Sequence, residues 1–173
     1  MILLVDKPSG MTSQAVVSKI KYAAKKHYGK IKIGHTGTLD PMCTGLLPVL
    51  THEHTKLSDL FPATKAYRAG LLLGTTTDTE DVTGKILSES PVTVSREEVV
   101  SAVGKIRQTP PMYSAVKVGG ERLYTLARKG IEVERAAREV EIFSLDCLPM
   151  PEGKQNEYLL QVRCSSGTDR KSV

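Results

Sequence analysis

The sequence predicts an α+β fold, a mixed sheet flanked by helices. Three observations lead to this. Apolar runs of strand length are interspersed with segments of helical periodicity, without the regular βαβ rhythm of a doubly wound parallel sheet. Glycine and proline clusters punctuate the chain at short intervals. With 173 residues, 40% of them hydrophobic and 25% charged, the chain can bury the core of one domain or a little more.

Residues 1–5 form an apolar strand that ends in the turn Asp6-Lys7-Pro8-Ser9-Gly10. From Thr12 or Ser13, either of which can cap a helix, Val16, Ile20, Ala23, Ala24 and His27 recur at helical spacing until Gly29. A short strand at 31–33 leads into the densest turn chemistry of the chain, 34–41, and a second apolar strand follows at 45–50. Residues 65–74 read as a strand and 75–84 as an exposed connection. Ser95 and Glu98 form a capping box, with Val99, Val100, Val103 and Ile106 as the buried stripe of the helix it opens. That helix must stop before Pro110-Pro111. A strand near 115–118, the Gly119-Gly120 turn, a basic helix at 121–129 and strands near 137–148 and 157–164 complete the expected order.

No apolar run nears the roughly 20 residues of a membrane span, and the first ten residues lack the layout of a secretory signal. Cys43, Cys147 and Cys164 are widely separated, with no CxxC pair, which fits reduced thiols and a cytoplasmic protein. The net charge is +5, and it is unevenly spread: no acidic residue lies between Asp6 and Asp40, whereas Lys7, Lys19, Lys21, Lys25, Lys26, Lys30 and Lys32 all do. A polyanion such as nucleic acid is one partner for that stretch, and a solvated lysine-rich helix face is the other explanation.

The loop at 34–40 matches neither GxxxxGK[ST] nor GxGxxG, which argues against a nucleotide cradle. His52 and His54 have no third ligand at a suitable spacing, so no metal is expected. What remains is Asp40, set between a turn and Pro41, with Gly34, Gly37 and Gly45 around it and His35 five residues earlier. Pro41 keeps Asp40 out of the helical region, and glycines let a bulky substrate approach the backbone. Such a carboxylate suits nucleophilic or acid/base work, or it forms a turn by bonding its own backbone.

Seven ordered blocks narrow the choice. Val5-Asp6-Lys7-Pro8-Ser9-Gly10-Met11-Thr12-Ser13, Gly34-His35-Thr36-Gly37-Thr38-Leu39-Asp40-Pro41, Thr44-Gly45-Leu46-Leu47-Pro48 and Lys65-Ala66-Tyr67-Arg68 come first. Thr77-Asp78-Thr79 with Asp81 and Gly84, then 108–117, then Arg122-Leu123-Tyr124 with 127–133, follow in order. Together they resemble the TruB family of tRNA pseudouridine synthases over nearly the whole chain. The resemblance implies a mainly antiparallel central sheet of the pseudouridine synthase catalytic fold. It also implies isomerisation of the T-loop uridine, position 55 of tRNA: the base leaves ribose C1′, turns, and rejoins through C5, with no cofactor and no metal. By the same resemblance Asp40 is the catalytic nucleophile, His35 assists extrusion of the target nucleotide, and Tyr67 stacks on the flipped base. Lys7, Pro8, Gly34, Gly37 and Arg68 support the site. Without the resemblance, His35 reads equally as a residue bonding its loop and Tyr67 as a core aromatic.

The family pattern fails at the end of the chain. A block like CSxGTYIR(S/T)L begins at Cys164-Ser165-Ser166-Gly167-Thr168, but Asp169 stands at the tyrosine position and Lys171 at that of the arginine. Residues 1–173 are therefore expected to form a catalytic domain incomplete at its C-terminus, without a PUA-like RNA-binding domain, monomeric, with the T stem-loop of tRNA as partner and reduced activity. The competing expectations are a non-catalytic tRNA-binding or folding module and an altered product without stable function. His52-Glu53-His54 also departs from a small Gly-x-Ala pattern, and Cys43 from alanine.

Overall fold

A computed structural model of the chain describes residues 1–114, 116–150 and 156–168. The chain divides into two compact units, Met1–Pro62 and Ala63–Val173. Every strand pairing among the described residues is antiparallel, and with a few helices this gives the expected α+β class. No described helix is long and apolar enough to cross a membrane.

In the first unit, β1 (Ile2–Lys7), β2 (Ile33–His35) and β3 (Gly45–Thr51) form a sheet in the order β1-β3-β2. Alternation along β1 turns Leu3, Val5 and Lys7 inward. The helix α1 (Ser13–Tyr28) starts where the Thr12 hydroxyl accepts the Ala15 N–H at 3.0 Å and ends at Gly29, whose φ of 67° suits a residue without a side chain. Val16 and Val17 pack with Leu47 and Val49, and Leu3, Val5, Met11, Ile20, Ile33 and Leu39 close around them.

Several boundaries move. The inward stripe of α1 begins at Ser13, Val16 and Val17, while Ala23 and His27 are exposed. The strand expected at 31–33 lies at 33–35, because β3 runs through Thr51, whose partner is Ile33, and the ladder continues through Gly34 and His35. After β3 comes an unexpected 3₁₀ helix, His52–Leu60, entered through a φ of 54° at His52. That left-handed conformation favours glycine, the residue that the family pattern prefers at this position. Both imidazoles are exposed and engaged: His52 Nδ1 lies 3.1 Å from Thr51 Oγ1, and His54 Nδ1 lies 2.8 Å from the Met1 amino group.

The second unit is built on a sheet of order β4-β11-β10-β7, formed by β4 (Thr64–Leu72), β7 (Gly104–Gln108), β10 (Arg138–Pro149) and β11 (Glu157–Ser165). Ile142, Leu145 and Cys164 form its core, against which Tyr67, Val99, Ala102 and Ile106 pack. The segment expected as an exposed connection instead begins a hairpin, β5 (Thr75–Thr77) with β6 (Ile86–Glu89). Its loop is tied by Asp81, whose carboxylate accepts from Thr79 Oγ1 at 2.9 Å and from the Thr83 N–H at 2.9 Å. Gly84 is required there: a Cβ would lie 2.3 Å from Thr79 Oγ1 and 2.9 Å from its backbone nitrogen. The strand expected near 115–118 appears as β8 (Lys117–Val118), paired with β9 (Glu121–Arg122), and the basic helix shortens to α3 (Leu123–Arg128). Ala115 lies outside the described residues.

The largest correction concerns residues 95–108. The capping box is present, but α2 covers only Arg96–Val100. The helix ends at its C-cap Ser101, and from Gly104, at φ 116°, residues 104–108 pair with β10 as a strand that half-buries Ile106 by alternation rather than by helical spacing. The Glu98 carboxylate accepts from the Ser95 N–H at 2.7 Å and from its hydroxyl at 2.9 Å, bonds that hold its pKa below the ordinary glutamate value. A depressed carboxyl stabilises the fold above its ordinary value and loses that contribution as the pH falls through the lowered one. Glu98→Gln should therefore weaken α2 at neutral pH and remove this acid-dependent step, as read by circular dichroism across an acid titration.

The cysteines offer a second check. Cys147 and Cys164 are buried, Cys43 is partly exposed, and burial pushes the Cys147 thiol up against a smaller opposing effect of Arg96. In the folded protein an aromatic disulfide reagent should modify Cys43 first. Cys147 and Cys164 should react at least about tenfold more slowly, and both should become reactive on denaturation.

Candidate active site

Asp40 sits half-buried in the loop that joins β2 to β3. Its carbonyl accepts the Cys43 N–H at 3.1 Å, so Asp40-Pro41-Met42-Cys43 is a closed turn with proline at the second position.

The turn is gripped by the segment that links β1 to α1. Lys7, fully buried, donates from Nζ to the carbonyls of Pro8 (2.9 Å), Met11 (2.7 Å) and Pro41 (3.2 Å). An ammonium has three donors, and all three are used on main-chain oxygens. The Pro41 carbonyl also accepts the Gly10 N–H at 2.8 Å. The buried Ser13 hydroxyl accepts the Leu39 N–H at 2.9 Å and donates to the Leu39 carbonyl at 3.1 Å, and Ser9 Oγ donates to the Met42 carbonyl at 2.9 Å. The residues on either side of Asp40 are therefore held from one side by 7–13. Sequence reasoning missed Ser9 and Ser13. The available signal was the pair Thr12-Ser13: one hydroxyl suffices for the cap, and Thr12 provides it.

The other expected site residues fall as follows. Pro8 is exposed, and its carbonyl is one anchor of Lys7. Gly34 lies in β2 opposite Leu50, where a Cβ would meet nothing within 4 Å, so its bare backbone leaves open space. Gly37 is half-buried in the same loop. His35 is half-buried opposite Val49, and its Nδ1, shielded from solvent, has no hydrogen-bond partner among the described residues. Tyr67 and Arg68 belong to the second unit. There Tyr67 is half-buried against the Ile142, Leu145 and Cys164 core, and Arg68, its neighbour in β4, is exposed. Lys7, Pro8, Gly34, His35, Gly37 and Asp40 all belong to the first unit. Asp169 and Lys171 lie outside the described residues.

The antiparallel α+β fold of the chain has counterparts among solved structures. One chain of a Cbf5-Nop10-Gar1 complex superposes with a TM-score of 0.65 at 27% identity, covering 99% of this chain and 41% of that one. A chain of an H/ACA RNP bound to a substrate RNA containing 2′-deoxyuridine gives 0.62 at 23% identity, covering 99% and 39%, a likeness of fold alone. The model of the TruB family pseudouridylate synthase N-terminal domain matches residues 25–169, and this chain belongs to that family. The tRNA pseudouridine synthase B of Azoarcus sp. (strain BH72) is 48% identical over 172 residues, 96% of this chain and 55% of that relative. Its counterpart in Clostridium kluyveri is 44% identical over 178 residues, 99% of this chain and 59% of that relative. The chain thus spans about half the length of the relatives it matches.

Proposed function

We propose that residues 1–173 act as the catalytic domain of a tRNA pseudouridine synthase that isomerises the T-loop uridine, position 55 of tRNA. In this reading the C1′–N1 bond breaks, the base turns, C5 bonds to C1′, the hydrogen leaves C5 and N1 gains one. Asp40 is the nucleophile, His35 helps to extrude the nucleotide, and Tyr67 stacks on the flipped base, offsetting part of the cost of unstacking. Lys7, Pro8, Gly34, Gly37 and Arg68 are supporting residues. The enzyme works as a cytoplasmic monomer on the T stem-loop, without cofactor or metal.

One observation supports this above the others: in a member of the TruB family, Asp40 is flanked on both sides by main-chain anchors to 7–13. A nucleophile must be held close to its reaction geometry, and displacement by about 1 Å can cost roughly a hundredfold in rate. The test is tritium release from C5-labelled uridine in a tRNA transcript, with the product mapped in the T loop. It is run on this chain alone and on this chain extended by the carboxy-terminal half of a matched relative. Release confined to the T-loop uridine supports the reading. Absence of release from the extended protein, with tRNA binding retained, would favour a non-catalytic tRNA-binding module.

A further inference from the structure

The main chain around Asp40 is a row of planar peptide units, and each unit from 38–39 to 42–43 has a holder. The Leu39 N–H, in the unit 38–39, donates to Ser13 Oγ at 2.9 Å, and the Leu39 carbonyl, in the unit 39–40, accepts from the same hydroxyl at 3.1 Å. In the unit 40–41 the Asp40 carbonyl accepts the Cys43 N–H at 3.1 Å. The Pro41 carbonyl accepts from both Lys7 Nζ at 3.2 Å and the Gly10 N–H at 2.8 Å, and the Met42 carbonyl accepts from Ser9 Oγ at 2.9 Å.

These holders are unevenly shared. After Asp40, separate groups from Cys43, Lys7, Gly10 and Ser9 act, so losing one leaves the others in place. Before Asp40, a single hydroxyl makes both bonds to Leu39. A serine hydroxyl has one proton to donate, and Ser13 gives it to the Leu39 carbonyl. The cap of α1 is supplied by Thr12, so the helix does not call on the Ser13 side chain for that purpose. The unit 39–40 leads directly into the Cα of Asp40, and tilting it swings the side chain that follows. Ser13 is well placed to prevent this. It is 2% exposed, it opens a helix of sixteen residues, and Val16 and Val17 of that helix belong to the cluster against which the Leu39 side chain packs. Leu39 is thereby tied to the first unit's core by main chain and side chain together.

We propose that Ser13 is a positioning residue for Asp40: its hydroxyl sets the direction in which the carboxylate enters the site, and it acts on the rate of the chemical step and not on RNA binding. The inference rests on the reading of Asp40 as nucleophile given above, and adds to it the group that aims it.

The test compares Ser13→Ala, Ser13→Thr, Ser13→Cys and Ser9→Ala with wild type. Ser95→Ala, which removes the cap of α2 in the second unit, is the control for lost stability. Single-turnover tritium release from C5-labelled tRNA, followed against protein concentration, gives a saturated rate and a half-saturation point. Circular dichroism fixes a temperature at which each variant is folded, and both the 173-residue chain and the extended protein described above are assayed. Ser13→Ala should lower the saturated rate at least about tenfold, with half-saturation within about twofold of wild type. Ser13→Thr keeps the hydroxyl and should recover most of that rate. Ser13→Cys, a weak donor and acceptor of similar size, should fall between them and carries the comparison if Ser13→Ala does not fold. Ser9→Ala should lose less than Ser13→Ala, and Ser95→Ala should keep the wild-type rate. By hydrogen exchange the Leu39 amide should open at least about tenfold more readily in Ser13→Ala than in wild type or Ser13→Thr. An unchanged saturated rate in Ser13→Ala and Ser13→Cys, a loss confined to half-saturation, or a folded Ser13→Thr no faster than Ser13→Ala would overturn the proposal and leave the function standing. A wild type without turnover in either form would overturn the function, and this proposal with it.

Discussion

Asp40→Asn is expected to reduce pseudouridine formation at least about a thousandfold, the scale on which loss of a nucleophile acts, while RNA affinity stays within a few fold. The amide has the size of the carboxylate but neither its charge nor its nucleophilicity. The change leaves the main-chain anchors of the loop at Leu39, Pro41 and Met42 in place. Asp40→Glu separates position from charge: the carboxylate remains but is carried outward by one methylene, so a large loss is expected here too. Tritium release under single-turnover conditions, beside anisotropy with the same RNA, reads both quantities. Substantial residual turnover in Asp40→Asn would remove Asp40 from the nucleophile's role.

Lys7→Met should have the largest effect on stability and a secondary one on rate. Methionine matches the length of the lysine stem and fills the space, so the change isolates the ammonium. The carbonyls of Pro8 and Met11 lose their donor, whereas that of Pro41 keeps the Gly10 N–H. Hydrogen bonds to a charged group contribute about 1.5–3 kcal/mol each. Part of the loss is returned because a charge no longer has to be desolvated, and a net cost of about 2–4 kcal/mol in urea denaturation is the expected balance. Lys7→Arg should not rescue it, since a planar fork cannot aim at three converging carbonyls in the space of an ammonium. An unchanged denaturation midpoint in Lys7→Met would mean that the grip contributes nothing to the fold.

The sequence was informative where one periodicity prevailed. The strand expected at 65–74 is β4 (Thr64–Leu72), and α1 is bracketed by Thr12 and Gly29, both of which serve as expected. It misled where two periodicities coincide. Val99, Val100, Val103 and Ile106 fit a helical face, yet the helix ends at Ser101, and Ile106 is half-buried by the alternation of β7. The hairpin at 75–89 was missed because β5 is threonine and its loop is polar, so hydrogen bonds to Asp78 and Asp81, not apolar burial, hold it. In the candidate site Asp40 stood out through its turn chemistry. Its supports did not, because carbonyl acceptors belong to every residue and leave no mark in a sequence. One sign was there to be read: strand alternation through Leu3 and Val5 turns position 7 inward, and an inward lysine must find partners.

Lys7 grips oxygens that all amino acids share, and this bears on how the region can diverge. The grip is indifferent to which side chains stand at 11 and 41, and Ser9 reads only the carbonyl of Met42, whose side chain is exposed. Nearly all the information in the clamp is therefore stored at positions 7, 9 and 13. In a randomised library selected for folding, position 42 should return many residues and position 7 almost none but lysine. The loop carrying Asp40 can thus change its outward face while the main chain on either side of Asp40 stays held.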